Sequence, residues 1–300
     1  MVTFAAPPLS VGRVWWSAVR PATLAASVAP VMAGTAIAIH GGGGRFGAGL
    51  AALIVAVAMQ VGVNFANDYS DYVRGADGKS RVGPLRAASS GVIKPEHVRL
   101  AAIAAFGVAG VLGVVLSLAT DWRLLLVGLA CLLAGWLYTG GPRPYGYLGL
   151  GELFVFVFFG LVATVGTVYV ETLQVTPLAV LVGCALGFLA SAILVLNNLR
   201  DMSTDAAAGK HTLATRIGRQ RTLVLLLVLV SAAFAVPIVV FVLHLAGVTV
   251  MLVHFAIPIA AVPVRTAFAT SAAPQLVGAL KRMAVAELAY ALLLTLGLLL

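Results

Sequence analysis

Apolar residues in this chain come in runs too long for the helices of a water-soluble domain. Segments 101–120, 124–137 and 223–243 are nearly free of charge, and polar residues collect between such runs. A soluble helix keeps a polar face opposite its apolar stripe, whereas these stretches are apolar all round. About 20 such residues cross the hydrocarbon layer of a bilayer. The pattern predicts an all-α, polytopic membrane protein with about nine spans, at 22–40, 49–67, 99–119, 123–139, 152–170, 177–197, 222–244, 247–268 and 281–299. Gly107, Gly110 and Gly113 are spaced for close helix packing, which small residues permit where lipid offers no hydrophobic drive between helices. The glycine run at 41–44 reads as an outer turn.

Composition agrees with this picture. The chain is 61% hydrophobic and 10% charged, against about 25% charged in ordinary soluble domains. Its mean hydropathy is +1.07, too high to hide in one soluble core. Cys131 and Cys184 both fall inside apolar runs and read as small core residues, not as a disulfide framework or metal site. Arg13 and Arg20 precede a hydrophobic stretch without a clear cleavage site, so that stretch is expected to be the first span of a single membrane domain covering 1–300.

Charge then orients the chain. The net charge is +9, a balance that in a soluble protein points to nucleic acid. With the N-terminus in the cytoplasm, however, only Arg45 and Arg123 of the nineteen Lys and Arg residues fall outside. This is the positive-inside bias of a plasma-membrane protein, and it removes the nucleic-acid reading.

The acids are few and grouped. Five of the ten lie in two segments, Asn64-Phe-Ala-Asn67-Asp68-Tyr-Ser-Asp71-Tyr-Val-Arg74-Gly-Ala-Asp77 and Asn197-Asn198-Leu-Arg200-Asp201-Met-Ser-Thr-Asp205. Each segment is expected at the cytoplasmic end of a span. Asn67 and Asp71 are four apart, as are Asn197, Asp201 and Asp205, and residues at i and i+4 share a helical face. Each segment therefore points a row of oxygen ligands one way. Magnesium takes oxygen ligands, commonly one or two carboxylates plus substrate phosphates. Cations follow each row: Arg74, Lys79, Arg81 and Arg86 after the first, Lys210 and Arg216 after the second. Arg143 stands alone in Tyr138-Thr-Gly-Gly-Pro-Arg143-Pro-Tyr145-Gly-Tyr147. Arginine suits bidentate contact with phosphate, and lysine acts as a point charge. Two such rows and their cations suit a magnesium-bound diphosphate. Polar groups in membrane helices also suit a transporter, although transporters place them near mid-bilayer, not at one face. No Walker loop or dinucleotide glycine fingerprint is present.

At these rows the chain resembles the UbiA-type membrane prenyltransferases. The resemblance rests on Arg20-Pro-Ala-Thr23, Asn67-Asp68-Tyr-Ser-Asp71 with Gly75 and Asp77, and Gly83-Pro-Leu-Arg86. It continues through the Tyr138–Tyr147 segment, Asn197-Asn198-Leu-Arg200-Asp201, and Asp205 followed by Gly209-Lys210-His-Thr-Leu-Ala-Thr-Arg216. Many relatives carry a third aspartate four residues after the second. Here Asp71 is followed by Asp77, and Asp205 by Gly209, a spacing similar to that of the branch acting on 1,4-dihydroxy-2-naphthoate in menaquinone synthesis.

The resemblance implies nine membrane helices and Mg²⁺ held by Asn67, Asp68, Asp71, Asp77, Asn197, Asp201 and Asp205. It implies transfer of a polyprenyl group from polyprenyl diphosphate to the aromatic acid, with loss of CO2 and diphosphate, giving demethylmenaquinone. Asp71, Asp201, Lys210 and Arg143 are then expected at the reacting diphosphate. Asn64, Lys79, Arg81, Tyr138, Tyr145, Tyr147 and Asn198 are expected to contact substrate. Sister enzymes taking 4-hydroxybenzoate or homogentisate are the nearest alternatives.

Overall fold

The computed structural model describes residues 10–75 and 85–300. The expected site residues Asp77, Lys79 and Arg81 lie outside them. The described chain is helical throughout, without strands.

A short helix, α1 (Val11–Val19), leads into α2 (Pro21–His40), α3 (Phe46–Val73), α4 (Pro95–Thr120) and α5 (Leu124–Leu137). A 3-10 turn (Tyr145–Leu148) precedes one long rod made of α6 (Gly151–Val155), a π-helical stretch (Phe156–Val162) and α7 (Ala163–Thr172). Then come α8 (Pro177–Ala207), α9 (Leu213–Val242), a 3-10 segment (Val248–Ala256) running into α10 (Ile257–Ala269), and α11 (Ala273–Leu299). Each of the nine expected spans falls on one of these rods. Among the described residues, eight rods are long and apolar enough to cross a bilayer. The ninth, α5, has 14 residues, about 21 Å at 1.5 Å per residue.

Local chemistry sets the helix starts. Proline stands at the first position of α2, α4 and α8, where its missing N–H costs nothing. Thr176 caps α8 by accepting the Ala179 N–H at 3.1 Å. The central helix is α8, whose buried Val182, Leu186, Leu189, Ile193 and Leu196 pack among α2, α9 and α11. A second, smaller core holds α1 against α3, α4 and the 85–93 segment through Val14, Ala18, Phe65, Ala87 and Val98. Outward faces of α4, α5 and α9 expose Val111, Leu118, Leu126, Val228 and Val242. Patches of this extent belong against lipid, not water.

Glycine is decisive where the π-helical stretch crosses α8. Gly160 lies backbone-on-backbone against Gly183 and Gly187; a Cβ at Gly160 would meet the Gly183 carbonyl oxygen at 2.5 Å and the Gly187 nitrogen at 2.6 Å. The expected packing role of Gly107, Gly110 and Gly113 is corrected here. A Cβ at Gly107 or Gly113 meets nothing within 4 Å, and at Gly110 only Leu132 at 3.8 Å. Gly110 and Gly113 instead line an internal cavity and leave it room.

Because Gly160 faces backbone that cannot rotate away, Gly160→Val is expected to lower stability by at least about 1–3 kcal/mol, the usual cost of overpacking. Thermal unfolding in detergent would read this as a lower Tm, whereas Gly107→Val should leave the Tm within a degree or two.

Candidate active site

The ends of α3 and α8 carry the two Asn/Asp rows, and both helices continue past the apolar runs to do so. On α3, Asn64, Asn67 and Asp71 are buried and share one face, as their spacing requires. On α8, Asn197, Asn198, Asp201 and Asp205 follow the same rule. All seven line one cavity of about 630 Å³.

The rows are tied together across this mouth. Asp71 accepts from Arg86 Nη2 at 2.7 Å, from Lys210 Nζ at 2.7 Å and from the Tyr147 hydroxyl at 2.9 Å. The side chains of Asp71, Arg86 and Lys210 are 6%, 10% and 13% exposed, so these charges meet largely out of water. Lys210 reaches Asp71 because α8 stops in a left-handed turn. Gly209 has φ +69°, and the Lys210 N–H returns to the Asp205 carbonyl at 2.8 Å. Tyr147 sits under Lys210, with Nζ 4.8 Å from its ring centroid. Burial first, and then the Asp71 carboxylate beside it, push the Tyr147 phenol well above its ordinary pKa, so it stays a donor.

The second row is braced along its own helix. Arg200, 8% exposed, donates to both Asp201 oxygens at 2.7 and 2.5 Å and to Asn197 Oδ1 at 2.8 Å. The Asp205 side-chain carboxylate, by contrast, has no hydrogen bond or ion pair among the described residues. Asn67 Oδ1 accepts the Thr139 hydroxyl at 2.6 Å. Asn64 donates to the Val19 carbonyl at 2.8 Å and to Thr23 at 3.0 Å, so it ties α3 to the start of α2 while still lining the cavity.

Two expected site residues stand elsewhere. Asp68 is one residue from Asn67, about 100° around the helix, and does not line the cavity. Its two oxygens accept the Ala87 and Ala88 N–H groups at 2.8 and 3.2 Å, so it anchors the segment that carries Arg86. Arg143 is exposed and outside the cavity lining, in the loop that follows Gly141 (φ +74°). Sequence reasoning left Arg20, Thr139 and Thr204 out of the site, and placed Arg86 only among the cations that follow the first row; all four line the cavity. Arg20 stands out only in the structure, where it is the N-cap of α2 in a left-handed conformation (φ 54°) that few non-glycine residues adopt.

Away from the charged mouth the cavity is apolar. Rings line up from the mouth inward: Tyr138 edge-on to Tyr145 at 5.5 Å, Tyr145 stacked on Phe154 at 3.9 Å, and Phe154 on Phe158 at 5.9 Å. Tyr145 spends its hydroxyl on the Ala134 carbonyl at 2.8 Å, which leaves its ring as wall. The lining continues through Val55, Met59, Gly110, Val114, Gly128 and Phe159 towards Ser117 and Val170. On α3 it extends from Ala52 to Asp71, about 28 Å along the axis at 1.5 Å per residue.

The donor set fits Mg²⁺. Among the described residues no three His, Cys, Asp or Glu side chains converge into a cage. At its mouth the cavity offers oxygen donors, from Asn67, Asp71, Asn197, Asp201 and the unengaged Asp205 carboxylate. This is the partial set that magnesium takes when substrate phosphates supply the rest.

An all-α membrane protein with an anion-suited mouth over a long apolar cavity is built to hold an amphipathic anion. Residues 27–296 match the UbiA prenyltransferase family, and the chain belongs to it. Membership of a family of enzymes sets aside the transporter reading. The chain is 48% identical over 208 residues to the 1,4-dihydroxy-2-naphthoate octaprenyltransferase of Mycobacterium tuberculosis, covering 69% of this chain and 71% of that protein. It is 38% identical to the enzyme of the same name from Escherichia coli over 212 residues, 69% of each chain. Among solved structures, a UbiA homolog from Archaeoglobus fulgidus bound to GPP and Mg²⁺ superposes with a TM-score of 0.64 at 16% identity, covering 93% of this chain and 99% of that one. A digeranylgeranylglyceryl phosphate synthase superposes at 0.63 and 15%, covering 95% and 98%. At such identities these two establish the shared fold.

Asp68→Asn replaces a charge-assisted anchor by a neutral one, a loss expected to raise amide exchange at Ala87 and Ala88 by about tenfold. Hydrogen–deuterium exchange of the purified variant checks this; unchanged exchange would remove the anchoring role.

Proposed function

We propose that the protein transfers a polyprenyl group from polyprenyl diphosphate to 1,4-dihydroxy-2-naphthoate, releasing diphosphate and CO2. The product is demethylmenaquinone in its quinol form. The observation that carries the chemistry is the two-part cavity, with paired acids and cations at one end and an apolar limb behind. The naphthoate acceptor rests on the relatives of that name. We further propose a single membrane domain in the plasma membrane with the mouth on the cytoplasmic side, in keeping with the basic residues on that face.

Asn67, Asp71, Asn197, Asp201 and Asp205 would hold magnesium, which when bound neutralises charge on the departing diphosphate. Arg86 and Lys210, which neutralise Asp71 in the structure, turn their charge to the phosphate oxygens as substrate enters. Tyr147, kept protonated, adds a neutral donor beside Lys210. The apolar limb takes the polyprenyl chain and keeps water from the allylic carbon. The faces of Tyr138, Tyr145 and Phe154 suit positive charge developing there.

The allylic carbon–oxygen bond breaks and its electron pair leaves with diphosphate. The ring carbon bearing the carboxylate forms the new carbon–carbon bond. The carbon–carboxylate bond then breaks, its electron pair restores the aromatic ring, and CO2 departs.

Membranes containing the protein, given naphthoate, polyprenyl diphosphate and magnesium, are expected to form demethylmenaquinone detectable by mass after air oxidation. Asp71→Ala or Asp201→Ala should lower turnover by about 100-fold or more while the protein remains folded, since groups aimed at developing charge carry this magnitude. Undiminished magnesium-dependent turnover in either purified variant contradicts the ligand assignment. Product from 4-hydroxybenzoate or homogentisate but not from naphthoate contradicts the acceptor.

A further inference from the structure

A buried acid beside the cavity has no part in the chemistry above. Glu152 opens α6, is 8% exposed, and is not itself part of the cavity wall. Its Oε1 accepts from Asn198 Nδ2 at 2.9 Å. Its backbone carbonyl accepts the Ser191 hydroxyl at 3.0 Å, which pins the start of α6 to α8. Its other oxygen, Oε2, is buried without a hydrogen-bond partner. A carboxylate with so few partners is costly inside a membrane protein, and such residues mark function more often than structure.

The consequence falls on Asn198. Asn198 gives its NH₂ to Glu152, so this contact sets which way the amide is turned, with its side-chain oxygen directed away from Glu152. Asn198 does line the cavity, and its side-chain oxygen Oδ1 accepts no hydrogen bond among the described residues. Glu152 thereby leaves a bare acceptor facing the ligand space. Tyr138 flanks the same place: a Cβ at neighbouring Gly151 would lie 3.6 Å from the Tyr138 ring and 3.8 Å from its hydroxyl. Asn198 is three residues before Asp201, about 4.5 Å along the helix axis. A ring held at Asn198 and Tyr138 is therefore within reach of an allylic carbon whose diphosphate lies at Asp201.

We infer that Glu152 is a positioning residue for the aromatic acceptor: it orients the Asn198 amide so that its carbonyl oxygen receives the ring hydroxyl remote from the acceptor's carboxylate. This deepens the proposed transferase function and rests on it. The hydroxyl adjacent to the carboxylate can bond to that carboxylate within the molecule. The remote hydroxyl has no internal partner, so it is the group that needs an acceptor from the protein. A site with a buried polar group built for a substrate hydroxyl discriminates strongly against analogues lacking it, because its own group is then left unpaired.

The test compares two acceptors, 1,4-dihydroxy-2-naphthoate and 1-hydroxy-2-naphthoate, with the same polyprenyl diphosphate and magnesium. The full-length protein in detergent or nanodiscs is used, and kcat/KM is measured for each. The wild-type protein is expected to favour the dihydroxy acceptor. In Glu152→Leu the ratio of the two kcat/KM values should fall by at least about tenfold, with the KM for polyprenyl diphosphate unchanged within about twofold. Glu152→Gln, whose side-chain oxygen can still accept from Asn198, should restore the ratio. The ratio is independent of how much enzyme is folded, so a merely structural role would not move it. If Glu152→Leu yields no folded protein, Asn198→Ala is measured in the same way and should show the same loss of preference. An unchanged ratio in the folded variant overturns the inference while leaving the transferase function standing. A wild-type protein that prenylates neither acceptor overturns the naphthoate acceptor of the proposed function and the inference with it.

Discussion

Asp71 is shared by Arg86, Lys210 and Tyr147, and that shared contact joins parts of the chain that are far apart in sequence. Arg86 comes from the segment after α3, Tyr147 from the turn before α6, and Lys210 from just past α8. Each pair is short and largely shielded from water, where charges interact more strongly and where losing one partner leaves the other unpaired. The carboxylate thus fixes the mouth of the cavity. It also holds two cations that a phosphate can recruit, since an arriving anion offers them the same kind of partner. Asp68, Arg200 and Gly209 serve this arrangement from behind: one anchors the Arg86 segment, one braces the second row, and one turns Lys210 inward.

Much of this was legible in the sequence, for identifiable reasons. Runs of apolar residues located the long rods of the described residues, because a bilayer demands length and a lack of charge. They did not locate the helix ends. Hydropathy stops at the first polar residues, yet α3 continues to Val73 and α8 to Ala207, since the Asn/Asp rows are themselves helical. The i, i+4 spacing of Asn67 with Asp71, and of Asn197 with Asp201 and Asp205, correctly predicted that each row shares a face. Applied strictly, the same spacing would have turned Asp68 away.

What periodicity could not supply was the course of the loops. Arg143 looked significant because it stood alone among glycines and prolines, but its side chain is exposed and outside the cavity lining. Arg86 lies 15 residues after Asp71, a separation at which no short-range pattern predicts their pairing. The π-helical stretch from Phe156 to Val162 reads as ordinary helix in sequence. Only the close approach of Gly160 to Gly187 reveals why small residues sit there, whereas the regularly spaced glycines of α4 do no packing. In a membrane bundle a glycine serves either close contact or open space, and spacing alone does not tell these apart.

The central claim is that the two rows form one site on one diphosphate. A double-mutant cycle with Asp71→Asn and Asp201→Asn tests it, read as magnesium-dependent affinity for an unreactive polyprenyl thiolodiphosphate. If both rows hold the same metal-bound head group, each single change weakens binding and the double change weakens it little further, giving a coupling energy of about 1–3 kcal/mol. Losses that add within about 0.5 kcal/mol would mean two independent sites and would contradict the account.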